Sequence, residues 1–171
     1  MIINGIVAMS SNNGIGINNK LPWKIPGELK RFKELTIGNN NNAIIMGRNT
    51  WNSIPILPNR DHLIISTTIH LDYTHNNNII KTFISIDDLL SYLKNTTYDD
   101  IWVIGGSQIY ESFLKRNIIT NLYVTYINEE YKCDTFFPPI PDNYLLIKKE
   151  TLSFMTLMGN CIYANIYKNT S

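Results

Sequence analysis

The sequence predicts an α/β fold: one domain over residues 1–171, a mostly parallel sheet with an antiparallel C-terminal edge, and flanking helices. Three observations carry that prediction. Short, largely apolar runs such as Ile2–Met9 and Ala43–Met46 read as strands buried on both faces. Segments with helical spacing or helix-start signals alternate with them. The last three apolar runs follow one another with no helix between, which sets antiparallel strands at one edge. In open sheets of this kind ligands bind beyond the carboxyl ends of the strands, where the topology switches.

The elements follow in order. Ile2–Met9 is a first buried strand and not a secretion signal, because Asn4 and Gly5 interrupt it and no basic residue precedes it. A Gly-containing loop, Ser10–Pro22, comes next. Pro26 opens a helix, since proline is tolerated in the first turn; Leu29, Phe32 and Leu35 recur at helical spacing, with Lys30, Arg31 and Lys33 turned to water. Ala43–Met46, His62–Ser66 and Ile101–Ile104 are central strands, with a short helix near Thr50. Ser85 caps a helix running to Lys94, Asp87 and Asp88 lying in its first turn. Gly106 leads into a helix through Leu114. Leu122–Ile127, Tyr144–Lys148 and Cys161–Tyr167 close the chain, with the Pro-rich connection Pro138–Pro141 before the second. The Asn tracts Asn39–Asn42 and Asn76–Asn78 are expected in surface loops.

Composition narrows the function classes. A chain with 44% hydrophobic and 17% charged residues is that of a globular protein able to bury a core. The net charge of +1, with no block of like charge, argues against a nucleic-acid partner or a polybasic membrane surface. No apolar stretch approaches the ~20 residues that span a bilayer. Cys133 and Cys161, isolated and far apart, read as reduced thiols of a cytoplasmic protein. His62, His70 and His75 form no ligand set, so no metal is expected and all three read as ordinary.

Three features carry candidate chemistry, each with two readings open. Gly105-Gly106, between a strand and a helix, either lets the backbone approach a phosphate at a helix N-terminus or is a plain turn. Arg48, just after Gly47 at a strand end, either forks onto an anion or is a solvated surface arginine. Glu28 borders the apolar face of the first helix. It is either a desolvated acid fit for proton chemistry or a solvated first-turn glutamate favoured by the helix dipole.

Further motifs lie around these. They include Ile15-Gly16, Leu21-Pro22-Trp23, Glu28 with Phe32, the run Ile45-Met46-Gly47-Arg48-Asn49-Thr50-Trp51-Asn52-Ser53-Ile54, and Leu57-Pro58-Asn59-Arg60. Later come Trp102-Val103-Ile104-Gly105-Gly106-Ser107-Gln108-Ile109-Tyr110, Leu122-Tyr123-Val124-Thr125 and Asp134-Thr135-Phe136-Phe137-Pro138. In joint order and spacing they resemble the dihydrofolate reductase family, from Met1 to the final strand.

The resemblance implies an eight-stranded sheet with about four helices and NADPH-dependent reduction of dihydrofolate, in support of one-carbon metabolism. It implies that Glu28 holds the 2-amino and N3 edge of the pterin, supported by Thr125, while Trp23 orders a water and a proton reaches N5 beside Leu21. Ile6, Leu29, Phe32, Ile54 and Leu57 are then the walls around the pterin and aminobenzoyl rings. Val7 and Ile104 offer acceptor carbonyls to the 4-position, where diaminopyrimidine antifolates place an amino group, and Arg60 is the partner of the glutamate-tail α-carboxylate. Ala8, Thr50, Gly105–Ile109 and Tyr110 line the cofactor, Tyr110 also touching substrate. Gly14, Ile15, Gly16, Lys20, Leu21, Gly47, Arg48, Asn49, Ser66, Thr67 and Thr68 complete the cofactor side. The family also carries a cis peptide between the paired glycines, and Asn13–Leu21 corresponds to its mobile loop.

This chain departs from the commonest pattern in three ways. Its Ile54–Arg60 loop is one residue shorter than in many bacterial members. Its acid is Glu at the compact Pro-Trp-x-x-Pro-x-acid spacing, and Thr67 and Gln108 stand where many relatives place a second cation. NADPH is expected, with weaker discrimination against NADH. The expected partners are the small-molecule substrate and antifolate inhibitors, with a stand-alone monomer as the assembly. Rival readings are a pyrimidine or pterin reductase of the riboflavin-pathway type, which does not need Glu28, Phe32 and Arg60 together, and a catalytically silent folate binder.

Overall fold

The structure, a computed structural model, describes all residues, Met1–Ser171. In chain order the elements are β1 (Ile3–Ser10), β2 (Gly14–Gly16), α1 (Pro26–Ile37), β3 (Ala43–Gly47), α2 (Arg48–Ser53), β4 (Asp61–Ile65), β5 (Asp72–His75) and β6 (Asn78–Phe83). They continue as α3 (Ile86–Leu93), β7 (Ile101–Gly105), α4 (Ser107–Lys115), β8 (Asn121–Ile127), β9 (Thr135–Phe136), β10 (Tyr144–Met155) and β11 (Cys161–Asn169).

The main sheet has nine strands in the order β10-β11-β8-β1-β7-β3-β4-β6-β5, and β2 pairs with β9 in a separate ribbon. From β8 to β6 all neighbours are parallel. β11 and β10 form the expected antiparallel edge. The chain leaves β1 for β3, moves outward to β4 and β6, then returns to insert β7 beside β1 and place β8 on its far side. That reversal makes the carboxyl ends of β1, β7 and β3 the switch point.

The two faces of the central strands are split by strand alternation. Val7, Ile45, Leu63 and Val103 belong to a core shared with Leu89, Leu93 and Phe113 of α3 and α4. Ile6, Ile44, Met46, Ile64 and Ile80 turn the other way, where Phe32 and Leu35 of α1 and Trp51 of α2 pack on them. β3 is buried along its whole length, as a continuous apolar run requires.

Several expectations are corrected. The main sheet has nine strands, not eight, because the hairpin β5–β6 adds a second antiparallel edge. β5 is exposed throughout, so it leaves no apolar signal. Its turn is made by Asn76 and Asn77, at φ 48° and 68°, the left-handed pair that a two-residue hairpin needs. β10 continues to Met155 instead of stopping at Lys148; it is held by its ladder to β11 and lacks the burial that would have marked it. The loop Ser10–Pro22 contains β2, and α2 begins at Arg48, two residues before Thr50.

Candidate active site

α1 buries an unusual pair. Its only buried residues are Glu28 and Thr36, while Phe32 and Leu35 are half-buried and Leu29 is 52% exposed. The apolar stripe therefore lines a cleft more than it fills a core. Between α1 and the sheet lies a cavity of about 20 Å³, space for about one water. Ile6, Val7 and Ala8 of β1, Tyr123 and Thr125 of β8, and Glu28 and Phe32 of α1 face it. Leu29 is not among the residues that line this cavity. Arg31 is, half-buried, where a solvated position was expected.

Glu28 is 7% exposed, and its Oε2 has no hydrogen-bond partner within the protein. Burial pushes its carboxyl up to about 7, overriding the helix-dipole preference for the charged form. The desolvated reading of Glu28 is the one its surroundings match. Thr125 is buried on the same cavity wall and makes no direct bond to the carboxyl. Trp23 is buried, its indole N–H also lacks a partner, and its ring meets Tyr131 edge-on at 5.4 Å.

The Tyr110 hydroxyl donates to the Ile6 carbonyl at 2.6 Å, tying α4 to β1. The Ile6 carbonyl is thus engaged at the edge of this region, while the side chain of Val7 belongs to the opposite core. Ile54, Leu57 and Ile104 are half-buried against the Ile44–Met46 face. Arg60 is 2% exposed; its Nε donates to Pro58 O at 2.9 Å and its Nη1 to Thr36 Oγ1 at 3.0 Å.

The second half of the site lies at the ends of β3 and β7. The Gly105–Gly106 peptide is cis. Gly105 has φ +118°, which side chains rarely adopt, and a Cβ there would lie 3.1 Å from the Tyr110 ring, which would have to give way. Gly106 caps α4, and a Cβ on it would meet only Thr50 Oγ1, at 3.8 Å, which leaves open backbone at a helix N-terminus. Gly47 lies against Ile109, with room for no more than its hydrogen. Thr50, Ser107 and Ile109 are half-buried around this corner and Ala8 is half-buried on the Glu28 cavity wall, whereas Asn49, Thr67 and Gln108 are exposed.

Arg48 Nη1 donates to Thr68 Oγ1 at 3.1 Å, and Ser66 Oγ accepts from the Thr68 and Ile69 backbone N–H groups. One guanidinium and two hydroxyls are thereby gathered beside the glycine corner. Open backbone at a helix end with a cation alongside suits a nucleotide phosphate chain.

The segment carrying Gly14, Ile15, Gly16 and Lys20 is tethered by β9. Asn18 N donates to Asp134 Oδ2 at 2.9 Å, and Asp134 N donates to Gly16 O at 3.0 Å. The Asn18 bond holds the Asp134 carboxyl below its ordinary range. Leu21 stands 46% exposed at the far end of this loop.

Three polar residues have surroundings that the sequence does not show. Thr36, a helix residue, receives Arg60 Nη1. Arg31, expected to face water, is half-buried on the cavity wall. His62 is buried and bonded through both ring nitrogens. The signal for His62 was its place in an otherwise apolar strand. Cys133 and Cys161 are free thiols. No helix is long and apolar enough to cross a membrane.

A doubly wound sheet whose switch point joins a phosphate-type glycine corner to a buried acid defines an α/β enzyme that holds a nucleotide cofactor against a second small molecule. The profile of the family described as Dihydrofolate reductase matches residues 2–167. The chain is 35% identical over 153 residues to the dihydrofolate reductase of Drosophila melanogaster, covering 82% of this chain and 81% of that one. It is 32% identical over 178 residues to that of Heliothis virescens, covering 97% and 96%. It is also 37% identical over 147 residues to the bifunctional dihydrofolate reductase-thymidylate synthase of Zea mays, covering 79% of this chain but only 28% of that longer protein. The chain belongs to the dihydrofolate reductase family. It is an oxidoreductase domain that acts on dihydrofolate with a nicotinamide cofactor.

Because Glu28 titrates near 7 in the fold and near 4.5 when unfolded, the native state holds a proton that the unfolded chain has lost between those values. Stability therefore falls as pH rises through that window. Glu28→Gln is expected to melt higher than the parent above pH 7, by up to about 3 kcal/mol, and to match it near pH 4.5. Melting curves at pH 4.5 and pH 8 check this; equal melting at both would show that burial does not strain the carboxyl.

Proposed function

We propose that the cofactor is NADPH and that Glu28 is the acid that holds the pterin and governs protonation at N5. One observation carries the reading: a buried carboxyl on α1 with an unpartnered oxygen, opening on an apolar cleft. A carboxylate offers two acceptor oxygens to the donor–donor edge of a 2-amino pterin. The nicotinamide, when bound, supplies the hydride to C6.

The chain's own residues position, exclude water and manage the proton. Glu28 fixes the ring and, by retaining a proton near neutrality, keeps one within reach of the pterin. Trp23, whose buried indole N–H has no partner in the protein, orders a water, Thr125 closes the cavity wall, and Leu21 screens the cleft from solvent. Ile6, Phe32, Ile54 and Leu57 flank the ring system, with Leu29 closing on it from its exposed position. The Ile6 and Ile104 carbonyls face the 4-position, and Arg60 takes the α-carboxylate of the tail. Gly14–Gly16, Lys20, Ala8 and the corner formed by Gly47, Thr50 and Gly105–Tyr110 hold the cofactor. Arg48, Asn49, Ser66, Thr67 and Thr68 receive its 2′-phosphate.

Loss of NADPH absorbance on adding dihydrofolate, repeated with methotrexate, tests the reading. Methotrexate-sensitive oxidation is expected. A folded protein that binds methotrexate without oxidising NADPH would defeat it and favour the silent binder.

Two variants separate the roles. Arg48 is the cation gathered at the phosphate corner, so Arg48→Ala is expected to lower kcat/KM for NADPH by about tenfold while leaving NADH within twofold. An equal fall for both cofactors would remove Arg48 from 2′-phosphate recognition. Arg60→Leu is expected to raise KM for dihydrofolate by tenfold or more, with a dihydropterin lacking the glutamate tail spared. Kinetics on the two substrates decide it.

A further inference from the structure

We infer that His62 is the positioning residue of the glutamate-tail site, its imidazole bracing the turn that carries Leu57 and Arg60. The inference rests on the reading of Arg60 as the tail's carboxylate partner and extends it to a side chain that touches no substrate.

His62 sits on β4 in register with Ile44 on one side and Ile80 on the other, and it is 0% exposed. The Trp51 ring meets it edge-on at 5.9 Å. Its neighbours make this an aliphatic slot, and a polar ring there is costly unless both nitrogens are bonded. They are. Leu57 N donates to Nε2 at 3.0 Å, and Nδ1 lies 3.0 Å from Arg60 O.

The partners fix the tautomer. An amide N–H can only donate, so Nε2 carries the lone pair; a carbonyl can only accept, so Nδ1 carries the hydrogen. Burial lowers the ring's proton affinity to about 4, which keeps it neutral in this role.

One ring thus grips the first N–H and the last C=O of Leu57-Pro58-Asn59-Arg60. Inside that span Pro58 O accepts from Arg60 Nε, and Asn59, at φ 64°, donates its N–H to Asn78 Oδ1 at 3.1 Å. Thr36 on α1 receives Arg60 Nη1. The guanidinium is therefore aimed by a turn whose two ends are pinned to β4 through His62. Without those two bonds the Leu57 end loses its polar tie, and Arg60 keeps only its side-chain bonds to Pro58 O and Thr36 Oγ1, so the fork loses the backbone brace that fixes its aim.

The experiment compares His62→Phe, which keeps a ring but no nitrogen, with His62→Gln, which keeps one donor and one acceptor. Each is assayed on dihydrofolate and on a tail-less dihydropterin, with Arg60→Leu alongside and thermal melts confirming the fold. His62→Phe is expected to raise KM for dihydrofolate about tenfold, with kcat and the KM for the tail-less substrate within twofold. His62→Gln is expected to fall between it and the parent, with the same restriction to the tailed substrate. The proposal is overturned if any folded variant raises both KM values equally, or if His62→Phe leaves the dihydrofolate KM unchanged. Should His62→Phe not fold, the same comparison on His62→Gln decides. If Arg60→Leu itself shows no preference for the tailed substrate, the tail assignment fails; if only the His62 variants lack it, the brace fails.

Discussion

The site depends on the burial of one carboxyl between a helix and a sheet face that would otherwise close on each other. Glu28 lies in the first turn of α1, where the helix dipole favours its charge, yet desolvation outweighs that preference. A chain collapses such an arrangement unless the helix is held off the sheet at its ends. The entry is held by Trp23 and Ile25, which pack with Ile127 and Ile162 in a small core of their own just before Pro26 starts the helix. The exit is held by polar bonds. Gly38 turns back on Glu34 O, Asn42 Nδ2 donates to Thr36 O at 3.0 Å, and Asn42 Oδ1 accepts from Asp100 N. With both ends fixed, the middle of α1 keeps its apolar side chains half-exposed over the cleft.

The sheet supplies the opposite wall by an equally local rule. Inserting β7 beside β1 after the chain has travelled outward gathers three carboxyl ends at one place. The residues that follow them, at Gly47 and at Gly105-Gly106, have no side chain to block approach. A Cβ at Gly105 would strike the Tyr110 ring, whose hydroxyl in turn holds the Ile6 carbonyl. Tyr110 therefore couples the glycine corner to the strand that lines the Glu28 cavity. The two half-sites share one buried side chain, which is why neither can be repacked alone.

Legibility in the sequence followed burial. Central strands such as β3 announce themselves because both faces are apolar, and Gly47, Arg48 and Gly105-Gly106 stand at their ends, as the sequence predicts. Edge strands do not. β5 and most of β10 face water, and their cohesion lies in backbone ladders that leave no side-chain pattern. Glu28 could be located from its helical position, but whether it was solvated or desolvated depends on Ile6, Tyr123 and Thr125, which arrive from distant strands. Arg31 was misassigned for the same reason: its position on the helix says which way it leaves the axis, not what comes to meet it. His62 was the opposite case. Its register was legible and its meaning was not, since the two groups it binds belong to an irregular turn.

The buried polar atoms separate scaffold from site. Both nitrogens of His62 and Thr36 Oγ1 are bonded within the protein, as buried polar groups must be where they only hold shape, and the Nε and Nη1 of Arg60 are bonded to Pro58 O and Thr36 Oγ1 as well. Glu28 Oε2 and Trp23 Nε1 are buried without a partner. Trp102 Nε1 shares that state beneath Tyr123, a wall of the same cavity; nothing in the structure explains Asn165 Oδ1. An unsatisfied acceptor costs on the order of 1–3 kcal/mol in the free protein, and a ligand that supplies its partner recovers that amount. A satisfied donor offers no such gain. On the proposed reading, binding energy is concentrated where the fold has left its polar groups unmet, at the Glu28 end of the cleft. At the proposed Arg60 end the gain comes from the aim that His62 and Thr36 give the guanidinium.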